Sequence, residues 1–78
     1  LPKYLDSHLK AEVDEDILKT AKELPRDEYG VKVDKILYNV EAGTIFCMLD
    51  APNEEAVIRH HEKYNVKCDN VWEIKEIC

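Results

Sequence analysis

Glycine and proline are scarce in this 78-residue chain, with two and three copies, and no low-complexity segment occurs. A collagen-like, linker-like or Pro-rich disordered chain is therefore excluded, and 45% apolar residues beside 36% charged ones describe one packed globular domain spanning residues 1–78. Basic charge is in deficit: 11 Lys and Arg face 17 Asp and Glu, for a formal charge of −6. Such a field repels phosphate backbones and anionic lipid headgroups, so neither nucleic acid nor a membrane is an expected partner. Long apolar runs are missing too. The longest, residues 44–49, falls far short of the roughly 20 residues a bilayer span needs, and the N-terminus lacks the basic and apolar zones of a signal peptide. There are only three cysteines, Cys47, Cys68 and Cys78, without a C-x-x-C. They cannot all pair within one chain, which argues against a disulfide framework or zinc ribbon and for reduced thiols in the cytoplasm.

What is present is a clear alternation of periods. Residues 2–9 alternate, with Leu5, Ser7 and Leu9 on one side and Tyr4, Asp6 and His8 on the other, as in a strand. From Asp14 the spacing of Val13, Ile17, Leu18, Ala21 and Leu24 is helical; Asp14 can cap the first turn and Pro25 stops the helix. Residues 31–40 and 44–50 read as strands joined by Glu41-Ala42-Gly43, a three-residue hairpin loop with Gly43 at positive φ. Pro52-Asn53 supplies a stop and an N-cap for a second helix that runs to about Tyr64, with Glu54 and Glu55 favourably placed in its first turn. A last strand is expected over residues 71–77.

The order β-α-β-β-α-β predicts an α+β, ferredoxin-like domain: a four-stranded antiparallel sheet with both helices on one face. Ile45, Phe46, Cys47, Met48 and Leu49 load both faces of one strand without interruption. If the helices cover Leu5, Leu9, Ile45, Cys47 and Leu49, then Ile36, Tyr38, Phe46 and Met48 form an apolar patch on the other face. Monomers seldom tolerate a large one, and a second copy is the expected cover, giving a homodimer of stacked sheets with barrel-like packing.

Three residues are the candidate metal ligands. His8 follows Asp6 by two, so both side chains share a face where they could bind a divalent ion or simply pair with each other. His61 lies on the inward stripe of the second helix with Val57 and Tyr64, whereas His60 points about 100° away toward the helix edge. Cys47 is either a small core hydrophobe or a thiolate, and sulfur with imidazole suits zinc, copper or nickel better than magnesium or calcium. Cys68, in a polar loop, and Cys78, at the end, carry no expected role. No H-E-x-x-H, nucleophile elbow or phosphate-binding glycine loop occurs, so an enzyme has no positive support.

Two stretches, residues 2–8 and residues 45–57 leading into His61-Glu62-Lys63, resemble a family of small prokaryotic proteins, otherwise of unknown function. That family includes a dimeric nickel-binding protein with a ferredoxin-like fold. The chain differs from its members at Leu9, where a second histidine often stands. The resemblance implies a non-enzymatic homodimer that stores or senses nickel or another divalent transition metal, with His8, Cys47 and His61 as the metal-capable positions. The alternative is a small-ligand-binding or enzymatic dimeric barrel using His8, Tyr38 or His61 as acid or base.

Overall fold

A computed structural model describes residues 1–78. β1 (Lys3–Leu9) is followed by a 3-10 turn over Lys10–Glu12, α1 (Glu15–Glu23), β2 (Lys32–Asn39), β3 (Thr44–Asp50), α2 (Glu54–Lys63) and β4 (Asn70–Ile74). The strands form one antiparallel sheet in the order β2-β3-β1-β4, the expected ferredoxin-like arrangement. No helix is long and apolar enough to cross a membrane.

Local chemistry sets most element boundaries. The Asp14 carboxylate accepts from the Asp16 backbone N–H at 2.9 Å, and Asn53 Oδ1 accepts from that of Ala56 at 2.8 Å, so each helix starts where its side-chain cap satisfies an otherwise unpaired donor. Gly43 has φ 62° and closes the β2–β3 hairpin. Asn65, at φ 54°, ends α2, and the N–H of Val66 then donates back to the His61 carbonyl at 3.0 Å. That reversal lays residues 66–69 beside α2. The last strand stops at Ile74, three residues earlier than the alternation over residues 71–77 predicts. β4 pairs only with β1, and the register between them ends at Lys3↔Ile74, where β1 begins.

The sheet face under the helices differs from the expected one. Tyr4, Asp6 and His8 of β1 are buried there, and Leu5 and Leu9 lie on the opposite face. Hydropathy favours the reverse, because it assigns the leucines to the core and the charged residues to water. On β2 a bulge between Val33 and Lys35 inserts one residue, so Val33 and Ile36 both meet the core although their numbers differ in parity. Ile36 then pairs with Cys47 and Tyr38 with Ile45, on the helix side, while Leu37 joins Phe46 on the other. The helix-free face consequently carries Leu5, Leu37, Phe46, Met48 and Trp72, with Leu5 flanked by Met48 and Trp72 in register. Only 16 of 78 residues are buried, a small core for one domain to stand on alone.

Candidate metal centre

The middle of β1 places Asp6 and His8 two residues apart on the covered face, and the antiparallel register sets Cys47 of β3 directly opposite Asp6. Such cross-strand neighbours have Cβ atoms about 5 Å apart. α2 crosses above and lowers His61 onto the same carboxylate. His8 Nε2 lies 3.0 Å from Asp6 Oδ1, and His61 Nε2 lies 2.8 Å from Asp6 Oδ2. Both imidazoles are anchored at their other nitrogen: His8 Nδ1–H donates to the Lys67 carbonyl at 2.8 Å, and His61 Nδ1–H to the Val57 carbonyl at 2.7 Å. Each ring thus presents Nε2 to the carboxylate.

Asp6 is fully buried. Its two carboxylate oxygens and His8 Nε2 have no aligned hydrogen-bond partner; the imidazole contacts are close enough for ion pairing, but off the hydrogen-bond axis. Three buried lone-pair atoms in this state are costly unless a positive charge meets them. Burial pushes the Asp6 carboxyl up, yet its contacts with His61 and His8 win and hold it below the usual range. His61 answers in the opposite sense: burial pulls it down, while Asp6, Cys68 and the Val57 carbonyl raise it to about 10. The Cys47 thiol is pushed well up, first by burial and then by the adjacent Asp6 charge.

One donor atom each from Asp6, His8 and Cys47 lies within 4.8 Å of the others, a separation that opposite ligands of one ion, at about 2.0–2.3 Å each, approach with small side-chain shifts. His61 stands outside that set, on the far oxygen of Asp6. Of the residues singled out in the sequence, the structure brings His8 and Cys47 together and sets His61 against the other side of Asp6, the acid at the centre, which sequence inspection shows only as a companion of His8. Its signal is the alternation itself: an Asp and a His share the side of a strand with Tyr4. An O, N, S donor set suits a late first-row transition metal better than magnesium or calcium. The cavity beneath the helices, lined by Asp6, His8, Cys47, His60, His61 and Tyr64 among others, is about 30 Å³. That admits a guest of about one water molecule or one ion. The residues present thus fit a metal ion.

Two other expectations are revised. His60 does not lie at the helix edge; it is buried, and its Nδ1 meets Asp27 Oδ2 at 2.7 Å. Asp27 Oδ1 accepts the N–H groups of Tyr29 and Val31, so this pair ties α2 to the loop before β2. Tyr38 is half-exposed and lines a separate groove beside α1 with Lys10, Lys19 and Lys22, so it is not brought together with His8 and His61.

Comparison with known proteins follows the same lines. Residues 4–74 match the family described as nickel responsive protein SCO4226-like. The crystal structure of SCO4226 from Streptomyces coelicolor A3(2) superposes with a TM-score of 0.77 at 25% identity, covering 97% of this chain and 99% of that one. No curated protein matches.

Proposed function

The chain belongs to the SCO4226-like nickel responsive protein family, and from that membership and the buried cluster we propose that it is a homodimeric nickel-binding protein that stores or senses the metal. One observation carries the reading: Asp6 and His8 hold unpartnered lone pairs in the protein interior, beside the Cys47 thiol. A divalent cation is the guest that such a site accepts, and the net charge of −6 favours its approach. Asp6, His8 and Cys47 hold the ion. His61 clamps the second carboxylate oxygen and fixes the orientation of the first, as supporting hydrogen-bonding groups around metal ligands commonly do. The Lys67 carbonyl keeps His8 in the tautomer that offers Nε2.

The second copy is proposed for the helix-free face. Leu37 and Trp72 are 49% and 47% exposed there, and Leu5, Phe46 and Met48 lie between them. Stacking two such sheets about 10 Å apart would enlarge a core that is small in one chain. Calorimetric titration of untagged protein with Ni²⁺ tests the metal reading, with His8→Ala and Cys47→Ser as controls. Binding near one ion per chain in the wild type, and weakening of tenfold or more in both variants, is the expected result; equal heats in all three proteins would remove the proposal.

A further inference from the structure

The donor set Asp6, His8 and Cys47 is almost sealed, since none of the three side chains has appreciable exposure. An ion that binds there must pass protein atoms on its way in. Three surface grooves adjoin the cavity by sharing part of its wall. One shares Leu18 and Ile36, a second shares Ile17 and Tyr64, and the third, a groove of about 190 Å³, shares Ala21, His60 and Tyr64. Of these three walls only the last carries an imidazole. The other two offer a hydrated dication aliphatic carbon and one phenol ring, and giving up water against such surfaces is costly.

His60 is held as a ligand would be. Its Nδ1–H donates to Asp27 Oδ2 at 2.7 Å, and Asp27 is itself fixed by the Tyr29 and Val31 N–H groups on Oδ1. A carboxylate behind one ring nitrogen orients the imidazole and leaves the Nε2 lone pair of the neutral ring free, as it does behind most metal-binding histidines. Nε2 has no partner in the chain and, unlike His8 Nε2, is not shut off from water. Inward from it, the rings of His60, His61 and His8 follow one another at centroid spacings of 5.9 and 5.1 Å, and Asp6 bridges the last two. The groove's two cations, Arg26 and Lys63, are met by Asp50 at 3.7 Å and by Glu28 at 2.6 Å, so they do not close it to a dication. We propose that His60 is the entry ligand of the metal centre: its Nε2 takes a divalent transition-metal ion from the groove and delivers it past His61 to Asp6, His8 and Cys47. This rests on the metal-binding reading above. In the first step Nε2 replaces one water of the hydrated ion. In the second that bond breaks as the bonds to the inner donors form, and the Cys47 S–H proton leaves to water. No electron moves. An entry ligand lowers the barrier in both directions, so it changes rates and leaves the equilibrium alone.

Stopped-flow mixing of Ni²⁺ with untagged protein, followed by sulfur-to-metal charge-transfer absorption, separates the outcomes. For His60→Gln, whose amide can still donate to Asp27, the association and dissociation rates should each fall about tenfold or more, with Kd within about twofold of wild type and an unchanged final spectrum. Tyr38→Phe, in the groove that adjoins the cavity through Leu18 and Ile36, should match wild type. Unchanged rates in His60→Gln would overturn the proposal. So would a Kd weakened about tenfold together with a reduced final absorption, which would make His60 a resident ligand. A second measurement leaves His60 in place: in Cys47→Ser, less than one equivalent of Ni²⁺ should broaden the NMR resonances of His60 and Asp27 before those of His8, and the reverse order would refute an outer docking position. If the wild type itself takes up no Ni²⁺, Zn²⁺ or Co²⁺, the metal-binding reading fails first, and that result is distinct from normal uptake that ignores His60.

Discussion

Replacing Asp6 by Asn in chelator-treated, reduced protein tests the central electrostatic claim. The carboxylate is fully buried with an imidazole on each oxygen, and it is the leading cause that lifts His61 against burial. Because the folded pKa of His61, about 10, lies above the unfolded value near 6.5, its contribution is complete below about pH 6.5 and drains away as pH rises through 10. Proton linkage puts that contribution at about 4 kcal/mol at pH 7, falling to under about 1 kcal/mol at pH 10. Removing one partner of a buried pair costs about 3–5 kcal/mol by itself, so the two routes agree. Asn keeps the shape but not the charge, and with His61 Nδ1–H fixed on Val57 it cannot satisfy both Nε2 atoms at once. A domain of this length has roughly 4–12 kcal/mol of total stability, so the variant should be close to unfolding at pH 7. Urea melts followed by far-UV circular dichroism at pH 7 and pH 10 read the gap between wild type and variant. It should be about 3–4 kcal/mol at pH 7 and under about 1 kcal/mol at pH 10. A gap of equal size at both pH values, or none at pH 7, would show that the Asp6–His61 charge pair does not stabilise this fold.

Three further outcomes follow from other parts of the structure. Because burial holds the Cys47 proton tightly, its loss on metal ligation should make Ni²⁺ affinity rise about tenfold per pH unit for each proton displaced, and calorimetry in two buffers of different ionisation enthalpy counts that proton; pH-independent binding would exclude Cys47 as a thiolate ligand. Asp27→Asn removes the charge facing His60 while keeping an oxygen for Tyr29 and Val31. It should cost about 1–3 kcal/mol at pH 7 in a thermal melt. Burial raises the Asp27 carboxyl, but His60 and the Val31 and Tyr29 N–H groups outweigh it and depress it, so the cost should vanish as the pH falls through its folded value, and a constant gap at acid pH would contradict this. Phe46→Glu on the helix-free face should convert a dimer to a folded monomer in sedimentation velocity, with Phe46→Leu as the dimeric control; a monomeric wild type would leave that face without its second copy.

Local sequence signals account for the elements because the physics there is local. Asp14 and Asn53 cap their helices, Gly43 takes the positive φ of the hairpin, and the change from period 2 to 3.6 separates strand from helix. The order of elements then leaves little choice of topology. The site was legible in part: His8, Cys47 and His61 stood out by residue type and by resemblance, but the expected faces set His8 opposite Cys47, and only the reversal of β1 brings it under α2.

What the chain's own pattern could not decide is which side of β1 goes inward. Counted one at a time, Leu5 and Leu9 belong in the core and Asp6 and His8 in water. The fold reverses this because Asp6 is met by one imidazole from its own strand and by one from α2, fifty-five residues further along the chain, and a compensation between distant residues has no local trace. The bulge after Val33 acts in the same way on β2, shifting Ile36 inward by one unpaired residue. The sequence alone thus determined the elements and their order. Tertiary structure alone determined the buried face and the central place of Asp6, since burial of charge is decided by the partners that meet it.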